Sequence, residues 1–574
     1  MNSIRTLALS AVIGYTTISS MVGVPRAMGQ AADKPPRDER RTPRIEKQRP
    51  PKGDASERAI PPEVAALERL SLVLGRPTNT SVTVSVLSAD GLEGYCEYGI
   101  ASGDYSRKTG VLGFTADKPV DVVLDQLPPN KPCFYRFRYR KPGEDAFTVS
   151  EEQSFHTQRA PLSTFVFEIQ GDSHPERQQQ FDPTLYAQTL RAAAADRPDF
   201  YMTIGDDFSV DTLRTINAET VSGRYRLQRP FLALVAQSSP LFLVNGNHEQ
   251  AAECNLDGTA NNVAVWAQTA RNKFFPQPEP GGFYTGDTTP VQFIGLLGDY
   301  YAWTWGDALF VVIDPYWHSP KPVDNVLGGG AKTRDRWEVT LGDQQYTWLK
   351  KTLESSKTKY KFVFTHHVLG TGRGGIEQAG FFEWGGKNKN GVNEFAQRRP
   401  GWVLPIHQLM AANGVTIFFQ GHDHVFARQQ LDGVVYQTLP EPADPFYTLY
   451  NKDAYHSGDV LANSGRVRVT VSPQKVRVEY VRSYLPKDAT MEHPSGETAF
   501  SYEIAASRPA SKNSTTISDS SAPAVLSPCA KPTELARGFD LPAAPCTPAK
   551  AVNTDVPYQH PFGIGKRGYV SNAQ

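Results

Sequence analysis

Five short apolar runs between residues 164 and 424 each lead into a loop built from glycine, aspartate, asparagine and histidine. Thr164–Ile169 leads to Gly171-Asp172-Ser173-His174, and Phe200–Ile204 to Gly205-Asp206-Asp207. Leu241–Val244 leads to Asn245-Gly246-Asn247-His248-Glu249, Phe362–Phe364 to Thr365-His366-His367, and Val415–Phe419 to Gly421-His422-Asp423-His424. Runs this short and this uniformly apolar are strands buried on both faces. Stretches at 183–194, 225–237, 342–353 and 403–412 have helical patterning, so residues 161–486 predict an α/β domain whose sheet is covered on both sides. Leu309–Ile313, Val467–Val471 and Lys475–Val481 supply further strands. Ligands of open α/β sheets bind beyond the carboxyl ends of the strands, which brings the five loops to one spot. Six of the twelve histidines in the chain lie in them.

The rest of the chain is of a different character. Sixty basic against sixty acidic residues leave no net charge, which excludes nucleic-acid binding by bulk electrostatics. Residues 1–31 read as a Sec-type signal peptide: Arg5, an apolar stretch from Leu7 to Val24, then small residues at Ala27, Gly29 and Ala31. The expected location is periplasmic or secreted, with no transmembrane domain after cleavage. Residues 32–62 are rich in proline and charge and read as a linker. Residues 63–158 alternate with a period of two, as in Ser81–Val86 and Cys133–Tyr139, and predict a small all-β sandwich. Residues 505–574 form a Ser/Ala/Pro-rich tail in which Cys529 and Cys546 read as a local disulfide. Cys254 is then the expected unpaired thiol.

Within the sandwich, Leu127-Pro128-Pro129-Asn130-Lys131-Pro132-Cys133 resembles the corner leading into a late strand of fibronectin type III domains. Cys133 stands where those domains carry a tyrosine. The matching early strand carries Cys96, and the resemblance leads to the expectation of a Cys96–Cys133 bridge between neighbouring strands.

The five loops resemble the signature of the calcineurin-like metallophosphoesterase superfamily: D-x-H, G-D, G-N-H-D/E, a strand-end histidine and G-H-x-H, in that chain order. The resemblance implies a β-sandwich flanked by helices. With the small β domain in front, the arrangement is similar to plant-type purple acid phosphatases. Those enzymes have a tyrosine three residues after the first aspartate, whereas Pro175 stands there in this chain, so a colourless D-x-H site is expected. Carried over residue by residue, Asp172, His174 and His424 hold one metal, Asn247, His366 and His422 the other, and Asp206 bridges them. Mixed carboxylate, carboxamide and imidazole donors suit divalent or trivalent iron, manganese or zinc.

The activity implied is hydrolysis of a small phosphomonoester by a hydroxide bridging the two metals, with His248 protonating the leaving group. Arg177 is a candidate for contacting substrate. Asp207 and Asp211 read as groups orienting ligands, with a helix-starting residue the simpler reading of Asp207, and His367 reads as a packed side chain ahead of a partner to the ligands. Trp303, Trp305 and Trp317 read as core. Gly370–Trp402, too glycine-rich for a helix or strand, reads as a long loop beside the metals. A phosphodiesterase or nucleotide phosphohydrolase with the same metals is the alternative. A surface-binding protein with an inert site is the alternative of another class.

Overall fold

The computed structural model describes residues 59–506 apart from 178, 325–326, 328–334 and 370–371. The signal, most of the linker, and Cys529 and Cys546 lie outside the described residues. Among the described residues no helix is long and apolar enough to cross a membrane.

A short helix, Pro62–Arg69, precedes an all-β unit. Leu70–Gly75, Val82–Ser88 and Val120–Leu124 form one antiparallel sheet. The second is centred on Leu92–Gly99 and Pro132–Arg140, with Gln153–His156 on its far side. Leu72, Val84 and Leu124 of the first sheet pack against Cys96, Tyr135 and Phe137 of the second, so the alternation read in the sequence marks the faces of a two-sheet sandwich. The expected Cys96–Cys133 bridge is not formed: both thiols are free and buried, and Cys254 is free and half-buried. Register is the reason. Cys96 stands opposite Phe137 and Cys133 opposite Phe155, which separates the two cysteines by four residues along the pair of strands. That is about 13 Å of strand, well beyond the reach of a disulfide.

The following domain is built from two sheets laid face to face. One runs in the order Leu241–Leu243, Phe200–Thr203, Phe165–Gln170, Gly465–Val471, Lys475–Arg482, Thr498–Ala505. The other is eight-stranded and includes Tyr301–Trp305, Ala308–Val312, Tyr360–Phe364, Ile417–Gln420 and Val434–Thr438. Between them lies a mainly aromatic core of Phe167, Phe200, Phe242, Trp303, Phe310, Phe362, Phe364 and Phe419. Phe242 and Trp303 stack at a centroid distance of 4.1 Å. Helices Pro183–Asp196, Ala218–Ala236 and Val263–Phe274 cover the outer face of the first sheet, and Gly342–Ser355 and Ile406–Ala412 that of the second. Each strand is thus apolar on both faces because one meets a helix and the other meets the opposite sheet. A single sheet with helices on both sides, the reading from periodicity, is corrected to the sandwich that the resemblance implied.

Local chemistry sets the helix ends. Asn217 caps Ala218–Ala236 through a reciprocal box with Thr220, which starts that helix before the 225 expected from periodicity. Val263–Phe274, capped by Asn262, was not legible as a helix. The β sandwich rests on the long helix: buried Arg229 donates to Ser71 Oγ at 3.0 Å and to the Ser85 carbonyl at 2.7 Å, and Tyr135 Oη donates to the Gln237 carbonyl at 2.7 Å. The 370–402 segment contains two one-turn helices, Phe382–Gly385 and Phe395–Arg398, and its Trp384 is fully buried. It is a packed part of the domain, anchored by aromatic side chains that its glycine content concealed.

Candidate metal centre

All five strand-end loops meet at one end of the paired sheets, as the pattern of apolar runs predicts. Close approach needs glycine at two of them. A Cβ at Gly205, which has φ of 103°, would lie 2.7 Å from Gly246 N; one at Gly421 would lie 2.5 Å from Asp172 Oδ1. Asp206, His174, His422 and His424 themselves adopt positive φ, at 59°, 43°, 66° and 53°. Backbone of this kind is held only where surrounding contacts over-determine it, which is common at functional sites.

Asp172 and Asp206 are the hub. Asp172 Oδ1 accepts from His422 N at 2.9 Å, leaving Oδ2 turned inward, 3.0 Å from His424 Nε2 and 3.8 Å from both His174 Nε2 and His366 Nε2. Asp206 Oδ1 accepts from His248 N at 2.9 Å, and its Oδ2 lies 2.9 Å from His366 Nε2 and 3.9 Å from His174 Nε2. Both carboxylates thus spend one oxygen on tying loops together and present the other to the imidazoles.

Three sets of side chains offer ligand atoms within 4.8 Å of one another: Asp172, His174 and His424; Asp206, His366 and His422; and His174, Asp206 and His248. Asp172 Oδ2, His174 Nε2, His366 Nε2 and Asn247 Oδ1 are buried without a hydrogen bond. Buried donors and acceptors are rarely left in this state, and the orphaned atoms of Asp172, His174 and His366, which belong to these sets, fit a cation there. Six of the seven residues expected from the sequence to hold metal fall in these sets, and Asn247 precedes His248 in the same loop.

The outer nitrogens of the imidazoles are fixed by partners, as metal-binding histidines require. His366 Nδ1 lies 3.0 Å from the Ile204 carbonyl, His174 Nδ1 3.0 Å from Ser209 Oγ, and His424 Nδ1 2.6 Å from Glu441 Oε1. Burial pushes His174 down to about 4. Burial also acts downward on His366 and His424, but the carboxylates outweigh it: Asp206 and Asp172 push His366 up to about 10, and Glu441 and Asp172 do the same for His424. Burial would raise Asp172, yet the imidazoles of His366 and His424 hold it below the carboxylate range.

His248 sits at the rim, its side chain 15% exposed. Its Nδ1 is 2.7 Å from Asp211 Oδ1 and its Nε2 is 2.8 Å from Arg177 Nη2. Arg177 thus joins the site through His248. Asp211 orients that histidine rather than one of the seven expected metal ligands.

Asp207 corrects its expectation. It caps no helix; fully inside the domain, it accepts from Ser173 Oγ at 2.6 Å and Gln170 Nε2 at 3.1 Å, and burial pushes it up to about 7. His367 is packed, stacked on His422 at 4.5 Å and bonded to Tyr316 Oη at 2.7 Å. Three carboxylates were missed. Glu249 accepts from the backbone N–H groups of Asp207 at 2.9 Å and Gly246 at 2.8 Å, locking two loops together. Glu441 lies three residues past the strand Val434–Thr438, which carries Gln437 and Thr438 and so lacks the uniformly apolar run that marked the others. Asp324, with Oδ2 3.4 Å from His422 Nε2, comes from an irregular insertion with no pattern to announce it. Arg373 and the Gly374 N–H hold Asp423, the latter at 2.7 Å, which latches the 370–402 segment to the G-H-x-H loop.

Two face-to-face sheets clad in helices, with a D-x-H to G-H-x-H cluster at the strand ends, define the metallophosphoesterase fold. Residues 169–426, a little under half of the chain, match the family described as calcineurin-like phosphoesterase. A solved structure of PhoD superposes with a TM-score of 0.52 at 15% identity, over 76% of this chain and 90% of that one. A purple acid phosphatase, PPD1 from yellow lupin (Lupinus luteus) seeds, gives 0.48 at 16% identity over 76% and 74%. No curated protein matches the sequence.

Proposed function

We propose that the chain is a metal-dependent phosphoester hydrolase with a binuclear centre, acting on small phosphomonoesters. The observation that carries this reading is the convergence of six Asp and His side chains from the strand-end loops, with Asp172 Oδ2, His174 Nε2 and His366 Nε2 among them left buried without a hydrogen bond. In this assignment Asp172, His174 and His424 hold one ion, Asn247, His366 and His422 the other, and Asp206 is shared. Two ions of the iron, manganese or zinc class would activate water at neutral pH and neutralise charge on the phosphoryl oxygens.

The chain's own groups do the rest. Arg177, an arginine at the rim, suits bidentate contact with a phosphoryl group. Such contact draws its guanidinium from His248, so that Nε2 takes a proton from solvent and the resulting imidazolium, held by Asp211, passes that proton to the leaving oxygen. Asp211 holds the ring in place through Nδ1 while this happens. Asp206, through Oδ1, fixes the backbone of the same loop, so the acid and the shared ligand move as one unit.

Export through residues 1–31, a linker over 32–62, a fibronectin type III-like unit over 63–158, a catalytic domain over 161–486 and a tail over 505–574 are part of the same proposal. The two-sheet sandwich at Leu70–His156 supports the fibronectin-like reading, and the strand Thr498–Ala505, paired along Lys475–Arg482, extends the catalytic sheet past 486.

The test compares nitrophenyl phosphate with bis-nitrophenyl phosphate, with and without chelator. Chelator-sensitive hydrolysis favouring the monoester is expected. Preference for the diester would make the enzyme a phosphodiesterase. Hydrolysis of neither by metal-loaded protein would favour the binding protein.

A further inference from the structure

Away from the main centre, Asp287, Asp299 and His318 bring ligand atoms within 4.8 Å of one another. They come from three segments: Asp287 follows the strand Thr285–Gly286, Asp299 precedes Tyr301–Trp305, and His318 follows Ala308–Val312. None belongs to the five signature loops.

Asp299 is fully buried and neither of its carboxylate oxygens takes part in a hydrogen bond; His318 Nε2 is buried and lacks one as well. The two meet at 3.3 Å as an ion pair, in which burial acts downward on His318 but Asp299 outweighs it and raises the ring above the ordinary imidazole range. Among the described residues no lysine or arginine pairs with Asp287 or Asp299. Asp314, also buried, lies close enough to Asp299 that the two carboxyl groups repel. Two or three buried carboxyl groups against at most one imidazolium is an arrangement that water cannot relieve and that a compact dication would. The spacing agrees. Two donors held about 2.0–2.1 Å from one tetrahedral zinc lie roughly 3.3 Å apart. Asp287 is oriented by Thr289 N at 2.8 Å and Gln344 Nε2 at 3.3 Å, and the His318 side chain, 17% exposed, gives a path from solvent.

We propose that Asp287, Asp299 and His318 form a separate site for one divalent cation of the zinc or manganese class, with a structural role. Two carboxylates and an imidazole are donors for such ions rather than for calcium. The cation ties the 287–299 segment to the loop after Ala308–Val312. Asn245 Nδ2 donates to Asp314 Oδ2 at 2.6 Å, which joins this region to the loop that carries Asn247.

The test is zinc content of the full chain after loading and removal of free metal. The Asp299→Asn, His318→Ala double variant is expected to retain one zinc fewer per chain than the unaltered protein. It is also expected to keep the ions released by an Asp206→Asn, His366→Ala chain. Equal zinc content in the first variant and the unaltered protein would overturn the proposal. A measurement on the unaltered chain covers the case in which the variant does not fold: zinc should slow amide exchange across the peptide 285–300. Unchanged exchange there, in protein that has taken up zinc, would also overturn it.

Discussion

Arg177 Nη2 lies 2.8 Å from His248 Nε2, and because a guanidinium can only donate, that nitrogen is the acceptor and the ring proton sits on Nδ1, facing Asp211. The histidine is thus held in one tautomer from both sides. Whatever displaces Arg177 changes what Nε2 can do, and in the proposed function a phosphoryl group is the displacer.

His248→Ala should therefore lower turnover of alkyl phosphates by about 100-fold or more, in the range of lost general acids. Nitrophenyl phosphate, whose leaving group needs no proton, should lose far less. Equal losses on the two substrates would remove the acid role.

Asp211→Asn leaves the shape but weakens the hold on Nδ1. Turnover of alkyl phosphates is expected to fall about tenfold, with KM little changed and metal content unaltered. A fall of the same size on nitrophenyl phosphate would point to general loosening of the loop instead.

Arg177→Met should raise KM for phosphomonoesters more than it lowers kcat, since the guanidinium is assigned to substrate contact. An unchanged KM would place Arg177 in a purely structural role on His248.

A separate prediction concerns the buried pair Glu168 and Arg466, 2.6 Å apart on neighbouring strands, with Arg466 also bonded to Asp196 at 2.5 Å. Arg466→Ala strands a buried carboxyl and should destabilise the fold by about 3–5 kcal/mol, whereas Glu168→Gln with Arg466→Leu should cost much less. Thermal melting of the two variants decides it; equal losses would contradict the account.

Much of this was legible in the sequence because one physical constraint produced it. Strands buried on both faces leave only their ends for chemistry, so Asp172, Asp206, Asn247, His366, His422 and His424 announced themselves by position after an apolar run. What covered those faces was not legible, since Phe167 reads the same whether it meets a helix or, as it does, Phe310 of a second sheet at 5.2 Å. The groups that support the site were hidden for other reasons. Glu249 and Asp207 act through backbone N–H groups and buried hydroxyls, which no spacing rule encodes. Asp324 comes from an insertion without periodicity. The register that keeps Cys96 and Cys133 apart depends on how two strands pair, which their alternation alone leaves free.

The proposed chemistry requires that two metal ions share Asp206. Anomalous scattering from crystals of metal-loaded protein measures this most directly. Two peaks about 3.5–4 Å apart on either side of Asp206 Oδ2 are predicted, one beside Asp172 and His424 and the other beside His366 and His422. A single peak there, or none in protein loaded with excess metal, would contradict it.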